Sequence, residues 1–216
     1  MQAEDTGQKA DKRESILQAA LELVAEYGLQ HTPMSLISKR ANASAGIIYH
    51  YFTSKEDLLT SLYRRIKGEM GRAIVAADDP QQPLAKRFQT LWLSIFRYCL
   101  AHPREMAFLE QFESVPLEKP QLAGLQEEMQ TLDDLLAQLQ AELALESLPS
   151  EAQALYRLIA DLRAQDLIKD LPLAAIGEFT YGVALRLARQ AATGRMIFDD
   201  ATLIALAKAC WDAVAR

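Results

Sequence analysis

Half of the 216 residues are apolar and only nine are glycine, so the chain can bury a sizeable core, as one large domain or two small ones. Ala, Leu, Gln, Glu and Arg dominate and period-two runs of β-branched residues are nearly absent, which excludes a sheet-based fold and indicates an all-α protein. The net charge of −6 is unevenly spread: residues 1–67 carry nine Lys/Arg against eight Asp/Glu, and residues 68–216 fourteen against twenty-one. Acidity in the larger part is therefore no objection to a polyanionic partner for the N-terminal one.

Residues 1–10 are polar and read as disordered. From Asp11 to Tyr27 the pattern is helical, with Leu17, Ala20, Leu21, Val24 and Tyr27 on one stripe and Glu22 and Glu26 opposite. Gly28 stands where a left-handed residue ends a helix. Lys12 and Arg13 near the helix start are either a solvated pair or phosphate contacts. Thr32 is a candidate cap for a second helix with Pro33 at its first position, running to about Ala41 with Met34, Ile37 and Ala41 on one face. Asn42 marks the break, because Asn tolerates the left-handed conformation. Ser44 caps a helix of about two turns, Ala45 to Tyr51, and Ser54 caps a third with Asp57 in the capping-box position. Two short helices around a tight turn, with a buried Ile/Ala face, form a helix-turn-helix, whose second helix enters a DNA major groove. The helix opened by Ser54 carries Leu58, Leu59, Leu62, Ile66, Met70 and Ile74 without a break as far as Asp78-Asp79-Pro80, a rod of roughly 30 Å at about 1.5 Å per residue.

The remainder reads as further helices. Leu84–Ala101 holds Phe88, Trp92, Phe96 and Tyr98, and Pro103–Glu113 holds Met106, Phe108, Leu109 and Phe112. Others run from Gln121 to about Leu145, from Pro149 to about Gln165, from Leu173 to Thr193, and from a cap at Asp199 or Asp200 to about Val214. Cys99 and Cys210 lie far apart in apolar helical contexts and read as small buried hydrophobes, a redox-sensing thiol being the alternative. No uncharged run reaches the ~18 residues of a membrane span and no basic-then-apolar leader opens the chain, so a cytoplasmic protein without a membrane partner is expected. There is no nucleophile elbow, no HExxH spacing and no Gly-rich phosphate loop followed by Lys-Ser/Thr, and the three histidines all fall within residues 31–102. No catalytic residue, metal or cofactor is therefore expected.

Ile37, Ala41, Ser44, Gly46, Tyr49, Phe52, Lys55 and Leu58 resemble the signature of the TetR/AcrR family of bacterial transcription regulators. There the same positions read as an Ile-Ala start, Ala-Gly-Val-Ser, then Gly-x-x-Tyr-x-x-Phe-x-x-Lys-x-x-Leu. The likeness covers roughly residues 12–66, with Ser38, Asn42 and Ala43 standing where Ala, Gly and Val are usual. It implies an N-terminal helix-turn-helix domain over residues 11–53, a connecting helix that starts over 54–66, and a ligand-binding and dimerisation domain over 67–216.

By this resemblance Ser35, Ala45, Gly46 and Ile47 are directed at bases. With Ser44 the last three form the leading turn of the recognition helix, where small residues allow close approach and Ile47 or Ala45 could meet a thymine methyl. None is an Arg, Asn or Gln able to make a bidentate base contact, so DNA shape is expected to carry much of the specificity. Tyr49, His50 and Tyr51 are candidate phosphate contacts, and Phe52 is structural. Lys55 sits at the first position of a helix, where the macrodipole disfavours a cation unless a phosphate docks there, and the family places a phosphate-contacting lysine at this position.

The resemblance also implies a homodimer built on the last two helices, for which Ala184, Leu187, Ala188, Ala191, Leu203, Leu206, Ala207, Cys210 and Trp211 are candidates. Two-fold symmetry then predicts a pseudo-palindromic double-stranded DNA operator. Family effectors bind inside the body, and Trp92, Phe96, Phe108, Phe112, Tyr156, Phe179 and Tyr181 are candidates to line a site for a lipophilic small molecule. The expected protein is a ligand-released repressor, with efflux or detoxification genes as the leading target. A metabolic regulator sensing an acyl compound is the alternative, and an effector-independent structural DNA-binding protein a third.

Overall fold

The computed structural model describes residues 2–114, 158 and 161–216. Among them every regular element is helical, apart from an isolated antiparallel bridge between Ile168 and Ala215. No described helix is long and apolar enough to cross a membrane. The elements are α1 (Gln2–Tyr27), α2 (Met34–Arg40), α3 (Ala45–Tyr51), α4 (Lys55–Ala77), α5 (Leu84–Ala101), α6 (Pro103–Glu113), α7 (Leu173–Gly177), a π-helical turn (Glu178–Gly182), α8 (Val183–Ala192) and α9 (Asp200–Val214). The helix expected over 121–145 and most of that expected over 149–165 lie outside the described residues.

The chain forms two compact units. The first takes in the chain up to Lys67 together with α6 from Arg104 onward. Its core is Ile16, Leu17, Ala20, Leu21 and Val24 of α1, Ile37 of α2, Ile48 of α3, Leu58, Leu62 and Ile66 of α4, and Phe108, Leu109 and Phe112 of α6, all buried. α6 falls within the residues expected to belong to the ligand-binding domain, but its aromatic face packs here. Phe112 stacks on Tyr63 at 5.1 Å and on Phe108 at 5.6 Å, and Gln111 accepts the Leu29 amide at 2.8 Å.

The local signals of this unit were read well, with four corrections. α1 begins at Gln2 rather than near Asp11, since a nucleated helix extends one hydrogen bond at a time without needing an apolar face. Tyr27, placed on the apolar stripe, is half exposed as the last residue of α1. Pro33, not Thr32, occupies the N-cap of α2: its carbonyl accepts from the Leu36 and Ile37 amides, while the buried Thr32 hydroxyl donates back to Gly28 at 2.9 Å. Ser54 does cap α4, accepting the Asp57 amide at 3.1 Å, but the Asp57 carboxylate returns to the Thr53 amide (2.7 Å) and hydroxyl (3.0 Å) rather than to Ser54. Gly28 and Asn42 have the expected positive φ, 84° and 46°.

The second unit comprises Gly68–Pro103 and the described residues from 158 onward. α5 is its central element. Phe88, Leu91, Trp92, Ile95, Phe96 and Cys99 are buried, and α8 and α9 both pack against it. Arg87, 4% exposed, clamps Asp78 through two hydrogen bonds of 3.0 and 2.9 Å and reaches Asp161 at 3.2 Å. The helix expected from Leu173 to Thr193 is interrupted by the π-helical turn, within which the Thr180 carbonyl accepts the Trp92 indole N–H at 3.1 Å. Asp199 is the cap of α9, accepting the Thr202 amide at 2.8 Å.

Candidate nucleic-acid interface

α3 shows one face to solvent because the opposite face is anchored. Ile48 and Phe52 are each 1% exposed, and the Arg13 guanidinium lies 5.1 Å from the centre of the Phe52 ring. Ser44 has the extended backbone of an N-cap, and its hydroxyl oxygen accepts the Ile47 amide at 3.3 Å. The helix so held exposes Ala45, Gly46, Ile47, Tyr49 and His50, beside an exposed Ser44; Tyr51 is half-buried, its ring edge-on to His50 at 5.1 Å. Ser35 is exposed on α2. The candidate base- and phosphate-facing residues of α2 and α3 are thus accessible together.

The turn between α2 and α3 is closed by main-chain and side-chain bonds. The Ala43 amide donates to Ser38 at 3.0 Å, the Ser38 hydroxyl donates to the Ala43 carbonyl, and the Lys12 ammonium donates to the Asn42 carbonyl at 3.1 Å. Lys55 is engaged in the same manner, donating to the Leu29 carbonyl at 3.0 Å. Burial holds its ammonium below the usual lysine pKa, opposed by the neighbouring Glu56. The penalty of a cation at the first residue of α4 is thus partly met inside the chain. Arg40 pairs with Glu22 at 3.3 Å and Glu26 at 3.1 Å, and these three with Ala25 and Arg104 wall a cleft of about 490 Å³. Its walls are charged, unlike those expected for a lipophilic molecule.

The ligand candidates do not gather in one unit. Trp92 and Phe96 are buried in the second, stacked at 5.9 Å. Tyr181 is half-buried there, its hydroxyl 3.8 Å from the Met70 sulfur, whereas Phe179 is 48% exposed. Phe108 and Phe112 belong to the core of the first unit, and Tyr156 lies outside the described residues. Of the dimer candidates, Ala184, Ala188, Leu203, Ala207 and Cys210 are buried within the single chain, on two helices that both pack against α5. Leu187, Ala191, Leu206 and Trp211 are half-buried, Trp211 packing on Phe88 at 5.3 Å. Cys99 and Cys210 are both free and buried, and burial pushes the Cys210 thiol above its usual pKa, which disfavours a reactive thiolate.

Residues 16–62 match the pattern of bacterial regulatory proteins of the tetR family, and residues 83–155 match that of the tetracyclin repressor-like C-terminal domain. The chain belongs to the TetR family. It is similar to an uncharacterized HTH-type transcriptional regulator of Haemophilus influenzae, 31% identical over 108 residues covering 50% of this chain and 58% of that protein. It is also similar to the fatty acid metabolism regulator protein of Bacillus subtilis, 36% identical over 108 residues covering 49% of this chain and 54% of that one. The chain thus spans about half the length of the curated relatives it matches. Its fold is shared with a TetR family transcription regulator from Marinobacter aquaeolei, with a TM-score of 0.77, 22% identity, and coverage of 100% of this chain and 99% of that one.

Two of the departures from the usual TetR-family pattern find a physical use here. The Ser38 hydroxyl, which Ala would lack, closes the turn on the Ala43 carbonyl, and Asn42, standing for Gly, takes the positive φ; no contact explains Ala43 in place of Val. Sequence reasoning missed the inward roles of Lys12, Arg13, Arg40 and Gln111. The available signal was weak: each is a long polar side chain, equally suited to solvent.

Proposed function

We propose that this TetR-family chain is a dimeric, ligand-responsive repressor that binds a pseudo-palindromic double-stranded operator. The observation that carries the reading is the anchored recognition helix: Ile48 and Phe52 are buried while Ala45, Gly46, Ile47, Tyr49 and His50 are presented together. Ser35, Ser44, Ala45, Gly46 and Ile47 meet base edges, and Tyr49, His50 and Tyr51 hold phosphates. Lys55 has two N–H bonds beyond the one given to Leu29, and these serve a phosphate.

One short recognition helix reads too few base pairs for specificity, which supports a dimer. Leu187, Ala191, Leu206 and Trp211 remain candidates for its interface, joined by Ile204, 46% exposed on the outer side of α9. Release follows a population shift in which an effector favours a tilt of α4 that moves the two recognition helices out of register with successive grooves. The effector is lipophilic, with efflux or detoxification genes as targets. A regulator of metabolism sensing an acyl compound is the second reading, supported by the similarity to the Bacillus subtilis fatty acid metabolism regulator.

The test is selection of DNA by the purified protein, followed by titration of the selected duplex against lipophilic drug-like compounds and acyl thioesters. The expected result is a pseudo-palindrome bound by two subunits and released by one of these classes. A single half-site bound by a monomer contradicts the dimer. Affinity unchanged across both compound classes contradicts the effector reading.

A further inference from the structure

Two features of α3 need an explanation that the chain does not supply internally. The first is Gly46. Its backbone is ordinary helix, and a Cβ built on it would meet nothing nearer than the Ser44 hydroxyl at 4.0 Å. Glycine weakens an exposed helix, so neither turn geometry nor packing within the chain requires it here. The remaining physical use is close approach of something outside the chain. The second is Ile47, the adjacent residue, a β-branched hydrocarbon left 39% exposed. The rest of the leading turn has little hydrogen-bonding vocabulary: Ala45 and Gly46 have none in their side chains, and the Ser44 oxygen already receives the Ile47 amide.

In a major groove the distinctive apolar group on a base edge is the C5 methyl of thymine; the other edges offer donors and acceptors. We infer that Gly46 and Ile47 act together as a methyl reader: Gly46 gives the clearance that lets α3 seat deeply, and Ile47 covers a thymine C5 methyl in each operator half-site. The inference rests on the DNA-binding reading above and narrows it from a groove contact to one chemical group. It makes Ile47 a specificity-determining residue in a helix whose other leading residues discriminate little.

Replacing thymine by deoxyuridine removes the methyl and leaves every base-pairing group in place, so the test needs no change in the protein. Each thymine of the selected operator is replaced in turn, symmetrically in both half-sites, and affinity is measured by fluorescence anisotropy. One symmetric pair is expected to weaken binding about fourfold per half-site, the worth of one buried methyl group. Both together give about fifteenfold if the half-sites act independently. Ile47→Ala is expected to bind the thymine and deoxyuridine operators equally. Gly46→Ala is expected to lower operator affinity without lowering the melting temperature.

A deoxyuridine scan without effect overturns the methyl contact. A deoxyuridine loss that persists undiminished in Ile47→Ala assigns the effect to DNA shape and overturns it as well. Unchanged affinity in Gly46→Ala overturns the clearance role. Failure to select any duplex DNA overturns the interface reading and this inference with it, whereas a flat scan on a well-bound operator overturns this inference alone.

Discussion

Polar side chains fasten main-chain groups in both units, and the second adds a buried ion cluster. In the first, polar side chains hold single main-chain groups at helix ends and turns: Lys12 on Asn42, Lys55 on Leu29, Ser38 on Ala43, Gln111 on the Leu29 amide. In the second, Arg87 is buried among carboxylates at the end of α4, and aromatic residues of α5 fill the space beside small residues of α8 and α9. The difference follows from helix length. α2 and α3 have seven residues each, too few to be stable alone, so their ends must be fastened. α5 and α9, with 18 and 15, gain most from a continuous packed face. Loss of a single polar bond in the reader should therefore act in a small step, and loss of the buried ion cluster beside α5 in a large one.

The largest step is expected in the second unit. Asp78→Ala leaves the Arg87 guanidinium buried with only the half-exposed Asp161 carboxylate, at a cost of about 3–5 kcal/mol measured by urea denaturation. A loss as small as that of a surface pair would remove the contrast between the units. The strongest packing effect in the reader comes next: Ile48→Ala, at a fully buried position, is expected to cost about 2–5 kcal/mol and to weaken operator binding with it.

Lys55→Ala is expected to weaken every operator alike and to reduce the slope of log affinity against log salt by about one. An unchanged slope would restrict Lys55 to its bond with Leu29, and a loss confined to one operator would indicate specific readout. Ser44→Ala should cost about 1 kcal/mol, and Ser44→Gly only a few tenths, in line with the ranking of N-cap residues. Equal losses in the two variants would assign the whole effect to the lost hydroxyl bond to Ile47, and no loss in either would show that this bond does not hold α3.

The smallest expected effect depends on pH. The hydroxyl and then the amide of Thr202 hold the Asp199 carboxyl below its ordinary value of 3.8. A lowered folded-state pKa contributes stability that is full above the ordinary value and fades as pH falls through the lowered one. Asp199→Asn keeps a capping side chain that does not titrate. Melting temperatures of the two proteins should therefore converge, or cross in favour of Asn, as the solution is acidified from neutral. A constant difference over that range would contradict the ionic cap.

Much of the reader was legible because its signals are local. Ser44 and Ser54 cap where expected, Asn42 and Gly28 take positive φ, and Ala45–Tyr51 and Pro103–Glu113 have the expected bounds. The exposed residues of α3 follow from the same periodicity that buries Ile48. Less legible was the destination of side chains that serve distant backbone. Lys55 and Lys12 carry the same charge whether they meet phosphate or a carbonyl, and nothing in their neighbours distinguishes the two.

The sequence by itself determined the helical class, the division around a capped helix-turn-helix and the chemistry offered by α3, because caps, glycine conformation and 3.6-residue periodicity act over a few residues. Tertiary structure alone decided that Phe108 and Phe112 complete the first unit, that α8 and α9, with Ala184, Ala188, Leu203, Ala207 and Cys210 buried on them, pack against α5, and that a π-helical turn meets Trp92. An apolar stripe states that a helix must bury one face. It does not state against which partner, because hydrophobic burial is non-directional and the choice rests on fit between elements far apart in the chain.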